Sequence, residues 1–120
     1  MAKLVSPKRG EIYLVNFDPT LGSEIRKNRP AIILQNDVSN EYSPITIVAA
    51  ITSKFDDKLY PTEVIIEANE AGLTQDSVIL LNQIRSIDRQ RLIKKLGTVK
   101  DSTLKKVNLS IKISLGLIEF

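Results

Sequence analysis

The sequence has no cysteine and no histidine among its 120 residues. Without cysteine, there is no disulfide framework, no thiolate nucleophile and no zinc site built on sulfur ligands. Without histidine, there is no Ser-His-Asp triad, no imidazole acid–base pair and no imidazole metal ligand. Any chemistry performed by this chain must therefore use carboxylates, lysine, arginine, tyrosine or hydroxyl groups.

Long hydrophobic runs are also missing. No segment approaches the roughly 18 consecutive apolar residues of a membrane span, and residues 1–10 lack the apolar core of a secretory signal. We therefore expect a cytoplasmic protein. The net charge is +3, from 17 Lys and Arg against 14 Asp and Glu. This charge is compatible with an anionic partner but does not require one.

The length and the even composition predict a single domain over residues 1–120. A chain of this size buries roughly two-thirds of its unfolded surface, so it can hold one core without staples. No internal repeat, low-complexity tract or linker divides it. Tyrosine and phenylalanine number three each and are scattered, so the clustered stacking aromatics of an RNA-recognition motif are not present.

The residue pattern of the first two-thirds of the chain predicts short β-strands separated by turn residues. Alternating or continuous apolar runs bounded by Asp, Asn, Gly and Pro are typical of strands. The predicted strands are Glu11–Phe17, Ala31–Gln35, Thr46–Thr52, Glu63–Ile66 and Ser77–Ile87. Residues 36–44 are polar and predict a turn region.

The last third predicts helices. Asp88 is a candidate N-cap and Gly97 a candidate stop for a helix over Arg89–Leu96. A second helix starts near Lys100, and its apolar residues recur every three or four positions. They are Leu104, Val107, Ile111 and Leu115. The expected fold is α+β and mainly β: a small, antiparallel, barrel-like sheet closed by a C-terminal helix.

Two groups of polar residues sit at strand ends. Arg26, Lys27 and Arg29 crowd the entry to the second strand, where they form either an anion-binding site or a solvated loop. Thr52, Ser53 and Lys54 end the third strand. A hydroxyl beside an ammonium group can bind a phosphate oxygen, although threonine is also common in strands.

Amide and guanidinium groups also interrupt the fifth strand. Asn82, Gln83 and Arg85 follow a run of Ile and Leu. Amides carry both donors and acceptors, so these side chains either read base edges or lie on the solvent face of an edge strand. The cations between Arg89 and Lys95 are interpreted as the solvated face of the predicted helix.

These residue types suit one reaction better than most. The sequence shows no local carboxylate cluster typical of a metal nuclease. RNA cleavage without metal needs fewer protein groups, because the substrate's own 2′-OH attacks the adjacent phosphorus. Arg29 is a poor base, since the pKa of arginine lies above about 12. Its expected role is to stabilise the pentacoordinate phosphate and to protonate the leaving 5′ oxygen.

Six segments resemble the MazF-type (PemK- or Kid-type) endoribonuclease toxins, in order and nearly end to end. They are RGEIYLVNFDPTLGSE (9–24), NRPAIILQND (28–37), SPITIVAAIT (43–52), PTEV (61–64), DSVILLNQIRSIDRQRL (76–92) and ISLGL (113–117). No single segment is rare, but this many in register are specific.

The resemblance implies an SH3-like barrel of the type shared with CcdB toxins, and a homodimer. It implies sequence-specific cleavage of single-stranded RNA with no metal and no cofactor. The products would carry a 2′,3′-cyclic phosphate and a free 5′-OH. It also implies a cognate antitoxin that wraps the dimer with a disordered segment and blocks the RNA site.

The site residues implied by the resemblance fall on matching positions. The catalytic arginine of the family matches Arg29, its catalytic threonine matches Thr52, and Glu24 resembles a residue of the active-site loop and is a candidate base. The positions matching substrate contacts are Asn36, Tyr60, Ser77, Asn82 and Gln83.

Two departures from the family pattern lie where RNA is read. Many members have a glycine-rich stretch where this chain has residues 25–28, and often glutamate where it has Asn82. Both leave the target sequence open. Two other functions also remain: a non-enzymatic poison that binds DNA gyrase, by analogy of fold alone, and an RNA-binding or transcriptional regulator without catalysis. The pairing of Arg29 with Thr52 favours the nuclease over both.

Overall fold

A computed structural model describes residues 6–17 and 28–119. Within them lie six strands, two α-helices and two short 3₁₀ turns, Glu70–Gly72 and Arg89–Arg91. The strands are β1 (Glu11–Asn16), β2 (Asn28–Ile33), β3 (Ile45–Thr52), β4 (Glu63–Ile66), β5 (Ser77–Asp88) and β6 (Leu92–Thr98). The helices are α1 (Asp37–Tyr42) and α2 (Asp101–Ser114). All five predicted strands are present, and the ends that differ are shifted by one to three residues.

The six strands form one antiparallel sheet in the order β4-β5-β3-β2-β1-β6. The mainly β, α+β prediction with a C-terminal helix is confirmed. Within residues 6–17 and 28–119 the sheet ends at β4 and β6 rather than closing on itself, so the description as a barrel is approximate.

Alternate residues of β1, β2 and β3 belong to two apolar clusters on opposite faces of the sheet, as the period of two in a strand requires. Ile12 of β1 and Val107 of α2 belong to the first cluster, which α2 covers. Tyr13 and Val15 belong to the second. The predicted helical stripe packs against the first cluster through Leu104 and Ile111.

The predicted helix over Arg89–Leu96 is wrong. Asp88 does cap, because its Oδ1 accepts a 2.8 Å hydrogen bond from the Gln90 N–H, but only the 3₁₀ turn Arg89–Arg91 follows. The chain then runs antiparallel to β1, with Lys94 opposite Leu14 and Lys95 opposite Tyr13. The open edge of β1 supplies backbone hydrogen-bond partners along β6, which outweigh the weak helix preference of so short a segment.

The predicted turn region 36–44 contains α1. Asn36 caps it, accepting a 2.8 Å hydrogen bond from the Ser39 N–H. Asn40 is fully buried and joins α1 to β3, because its Oδ1 accepts from the Thr46 hydroxyl at 2.7 Å. Its Nδ2 donates to the Gln35 carbonyl at 2.9 Å. Local side-chain bonds of this kind favour a short helix where composition alone suggests a turn.

β5 bulges away from β3. Ala49 pairs with Ile84 and Ile51 pairs with Ile79, so two steps along β3 match five steps along β5. Of the four residues between them on β5, Leu81 stays buried, whereas Asn82 and Gln83 are released from regular pairing with β3 and are exposed. Bulges re-aim side chains in this way beside functional sites.

No helix in the described part of the chain is both long enough and apolar enough to cross a membrane.

Tyr13 makes the unfolding free energy depend on pH in the alkaline range. Burial raises the pKa of its hydroxyl, the Glu11 carboxylate raises the pKa further, and the Arg89 guanidinium partly opposes both. The folded state therefore keeps the proton longer than the unfolded state. This contribution is fully present below the unfolded pKa of about 10 and is lost as pH rises through the raised pKa.

We therefore expect Tyr13→Phe to make the loss of unfolding free energy above about pH 10 shallower. Urea unfolding at a series of alkaline pH values measures it. Tyr42→Phe, at an exposed tyrosine, is the matched control and should keep the wild-type slope. Parallel slopes for wild type and Tyr13→Phe would contradict the role given to Tyr13.

Candidate functional site

Three strand ends meet at one end of the sheet. Ala31 of β2 pairs with Ala50 of β3, so Arg29 and Thr52 lie two residues further along their strands on the same side. Thr52 also pairs with Val78 of β5. Because β2 starts where its antiparallel neighbour β3 ends, residues far apart in sequence are brought to a common edge.

Arg29 is held in an extended conformation by Pro30. The residue before a proline is sterically excluded from the helical region, and Pro30 pairs with Leu14 inside the sheet. Arg29 is exposed at this position. The local sequence thus projects a solvated guanidinium group from the rim of the sheet.

A first cleft of about 290 Å³ opens at this edge. It contains the cations of Arg29 and Lys54, and none of its described lining residues carries a carboxylate. Its electrostatic field therefore favours an anion, and an arginine fork suits phosphate oxygens. The lining residues are Arg29, Pro30, Ile51, Thr52, Ser53, Lys54, Leu73, Thr74, Gln75 and Ser77.

Two hydroxyl groups line the first cleft. Thr52 Oγ1 accepts a 3.1 Å hydrogen bond from the Lys54 N–H and lies 3.4 Å from the Lys54 carbonyl oxygen. That second contact is long for an O–H donor, so the hydroxyl proton can turn to a ligand at little cost. Ser77, largely buried, donates to the Gln75 carbonyl at 2.9 Å.

A second cleft of about 210 Å³ shares Arg29 with the first. Its other lining residues are Phe17, Ala50, Gln83 and Arg85. The β5 bulge delivers Gln83 here, which explains why an amide late in an apolar strand faces a cleft. Arg29 thus stands between a site with hydroxyl groups and a site with an amide and an aromatic ring.

Among the described residues, the structure brings together four of the predicted site residues. Thr52 and Ser77 line the first cleft, Gln83 lines the second, and Arg29 lines both. Glu24, and with it Arg26 and Lys27, lies outside the described residues.

The other three predicted contacts do not line either cleft. Tyr60 is exposed in the loop after β3, with Lys58 Nζ 5.7 Å from its ring centroid, and Asn82 lies on the bulge. Asn36 caps α1 beyond the far end of β2, and the strand alone separates it from Arg29 by more than about 13 Å.

Sequence reasoning missed Phe17, Thr74 and Gln75 as site residues. The first predicted strand includes Phe17, yet this residue follows β1 and reaches the second cleft. Thr74 and Gln75 precede β5 in a polar loop. The sequence does contain a signal for both residues, because polar residues immediately before a buried strand lie at the end of the sheet where that strand begins.

The chain matches a family model described as "PemK-like, MazF-like toxin of type II toxin-antitoxin system" over residues 8–115. It is 46% identical over 113 residues to the endoribonuclease EndoA of Bacillus subtilis, covering 94% of this chain and 97% of that protein. It is 49% identical over 110 residues to the endoribonuclease MazF of Staphylococcus saprophyticus, covering 92% of each.

A solved structure gives the same comparison in three dimensions. The chain superposes on a crystal structure of MazE-MazF from Deinococcus radiodurans with a TM-score of 0.80 at 28% identity. The superposition covers 95% of this chain and 99% of that one.

Proposed function

Because the chain belongs to the family of PemK-like, MazF-like toxins of type II toxin–antitoxin systems, we propose that it is an RNA-cleaving toxin whose active centre is the first cleft. One observation carries the proposal. Arg29 and Thr52, which are distant in sequence, line one cationic cleft at the meeting of β2, β3 and β5. The proposed unit is a single domain over residues 1–120, acting in the cytoplasm, where messenger RNA is available.

The proposed reaction needs no group from outside the chain and its substrate. The 2′ oxygen of the RNA attacks the adjacent phosphorus, and the bond from phosphorus to the 5′ oxygen breaks. The products are a 2′,3′-cyclic phosphate and a 5′-OH. The 2′-OH proton passes to a base, for which Glu24 is our candidate, and the leaving 5′ oxygen takes a proton from Arg29.

The first cleft supplies charge where the transition state gains it. The Arg29 guanidinium donates paired hydrogen bonds to the non-bridging phosphate oxygens. The Thr52 hydroxyl donates to the same group once it turns from the Lys54 carbonyl. Lys54 adds a second positive charge. The bound RNA would also pass beside Ser77 and Gln83. Three further proposed RNA contacts lie outside the two clefts: Asn36, Tyr60 and Asn82.

The test is cleavage of a long single-stranded RNA in excess EDTA, with the ends identified by mass spectrometry. We expect cleavage at short recurrent sequences, with 2′,3′-cyclic phosphate and 5′-OH ends. A single 2′-deoxy substitution at the cleaved position should stop the reaction, whereas one placed two nucleotides away is the control. Intact RNA would overturn the proposed activity, and 5′-phosphate ends would overturn the 2′-OH mechanism.

We also propose a homodimer and a cognate antitoxin as partners. Three apolar side chains after α2 are 39–69% exposed: Leu115, Leu117 and Ile118. Neighbouring exposed apolar groups mark interaction surfaces in soluble proteins. Sedimentation at micromolar concentration should therefore give a dimer, and a monomer would contradict this assembly. The antitoxin follows from membership of a toxin–antitoxin family.

A further inference from the structure

The second cleft contains two residues for which the cleavage reaction has no use. Phe17 and Arg85 line it together with Gln83, Ala50 and the shared Arg29. The Arg85 guanidinium carbon lies 5.2 Å from the centroid of the Phe17 ring. That distance is within the range of a cation–π pair. The cleft therefore has a wall made of an aromatic plane and a guanidinium plane.

The two planar groups are held in place from different strands. Phe17 directly follows β1, is half-buried and packs against the cluster that contains Tyr13 and Val15. Arg85 is exposed on β5, opposite Val48 of β3. Gln83 precedes Arg85 by two residues and lines the same cleft. Packing therefore holds the Phe17 ring, strand pairing fixes the backbone of Arg85, and the guanidinium group lies beside the ring.

This wall suits a nucleobase. Bases stack on aromatic side chains and on arginine planes, and amide side chains bond to base edges. At about 210 Å³, the cleft is below the roughly 300–1,000 Å³ of drug-sized ligand sites. It suits one flat ring system rather than two nucleotides.

We propose that the second cleft binds one base of the RNA next to the cleaved bond, with Phe17 and Arg85 stacking on it and Gln83 bonding to its edge. The inference rests on the proposed function, because Arg29 places the second cleft beside the reacting phosphate. It goes further by assigning base preference at one position to Phe17 and Arg85. These residues are specificity determinants and take no part in the chemical step.

The first experiment compares Phe17→Leu and Phe17→Tyr with wild type on one long transcript, with the cleaved ends mapped at every nucleotide by sequencing. A stacked base is worth about ten- to a hundredfold. We expect Phe17→Leu to lower kcat/KM at the preferred sites by that factor and to relax preference at one flanking position. Phe17→Tyr keeps the ring and should keep the preference. Tyr42→Leu, at an exposed aromatic outside both clefts, is the control.

Arg85→Lys separates stacking from charge. Lysine keeps the positive charge and loses the planar fork. We expect a several-fold loss of kcat/KM with relaxation at the same flanking position as for Phe17→Leu. A loss spread equally over all positions would overturn the role of Arg85 as part of a base site.

A fluorescence measurement tests contact directly. The chain has no tryptophan, so Phe17→Trp introduces a single reporter. Titration with an RNA covering a mapped site, 2′-O-methylated at the attacking hydroxyl, should quench its emission by stacking. Tyr42→Trp should stay unquenched. Unaltered emission of Phe17→Trp at saturation would overturn the inference.

The outcomes also separate this inference from the proposed function. If wild-type protein leaves every RNA intact, the proposed function fails. If wild type cleaves and Phe17→Leu keeps the same nucleotide preference, only the base site fails.

Discussion

Replacing Arg29 with alanine is expected to lower kcat/KM for RNA cleavage about a thousandfold and to leave the fold intact. Donors aimed at charge that develops in the transition state are worth about 10²–10³-fold each, and the paired donors of one guanidinium act on the phosphate as a unit, so their effects do not multiply. Arg29 is exposed, so its loss should change the unfolding free energy by less than about 0.5 kcal/mol. Single-turnover kinetics and urea unfolding measure the two effects separately.

The matched control is Lys105→Ala, which removes one positive charge from the exposed face of α2. It should keep cleavage close to wild type, because the proposed mechanism depends on a guanidinium group placed in the first cleft rather than on net charge. Arg29→Lys keeps the charge at the site but loses the paired donors, so it should fall between wild type and Arg29→Ala. Wild-type cleavage by Arg29→Ala would remove Arg29 from the mechanism.

Replacing Gly97 with alanine is expected to lower the unfolding free energy by about 3 kcal/mol, or Tm by about 12 °C for a chain of this size. Gly97 lies in β6, opposite Ile12, and a Cβ there would come within 2.5 Å of the Ala71 carbonyl carbon. Its other near neighbours, the Ala71 Cα and oxygen, are also backbone atoms, at 2.7 Å each. A flexible side chain could move aside, whereas this backbone must shift. Thermal unfolding measures the loss.

Gly116→Ala is the control for this substitution. Gly116 has a φ of +74°, but among the described residues no atom lies within 4 Å of the position that an added Cβ would take, so only its left-handed backbone is strained. That strain costs about 1 kcal/mol, or about 4 °C in Tm. Gly97 has no such positive φ, so a loss at Gly97 no larger than that at Gly116 would contradict the cost assigned to the close approach to Ala71.

The close approach at Gly97 also shows where sequence reasoning is wrong. Glycine commonly ends a helix, so the local pattern predicts a helix stop at Gly97. Its actual use is to let β6 pass against the 3₁₀ turn Glu70–Gly72, and a Cβ on Gly72 would likewise overlap the Leu96 carbonyl. Glycine can mark either a helix end or a close approach between backbone segments, and only the tertiary structure shows which of the two applies at Gly97.

The candidate site is predictable in its residues but not in its shape. Arg29 before a proline and Thr52 at a strand end are local features, and the resemblance to known toxins names both. Their union in one cleft depends on the pairing of β2 with β3. The resemblance also names Gln83 as an RNA contact, but the bulge that presents it arises from how β5 pairs with β3.

The sequence by itself determined the five apolar strands, the apolar stripe of α2, and the absence of imidazole and thiol chemistry. Each depends on residue type and on spacing within one segment. Only the tertiary structure decided that residues 92–98 form β6, that Phe17 meets Arg85, and that Arg29 divides two clefts. These features join segments distant in the chain, and the energy of pairing and packing between such segments is absent from any local pattern.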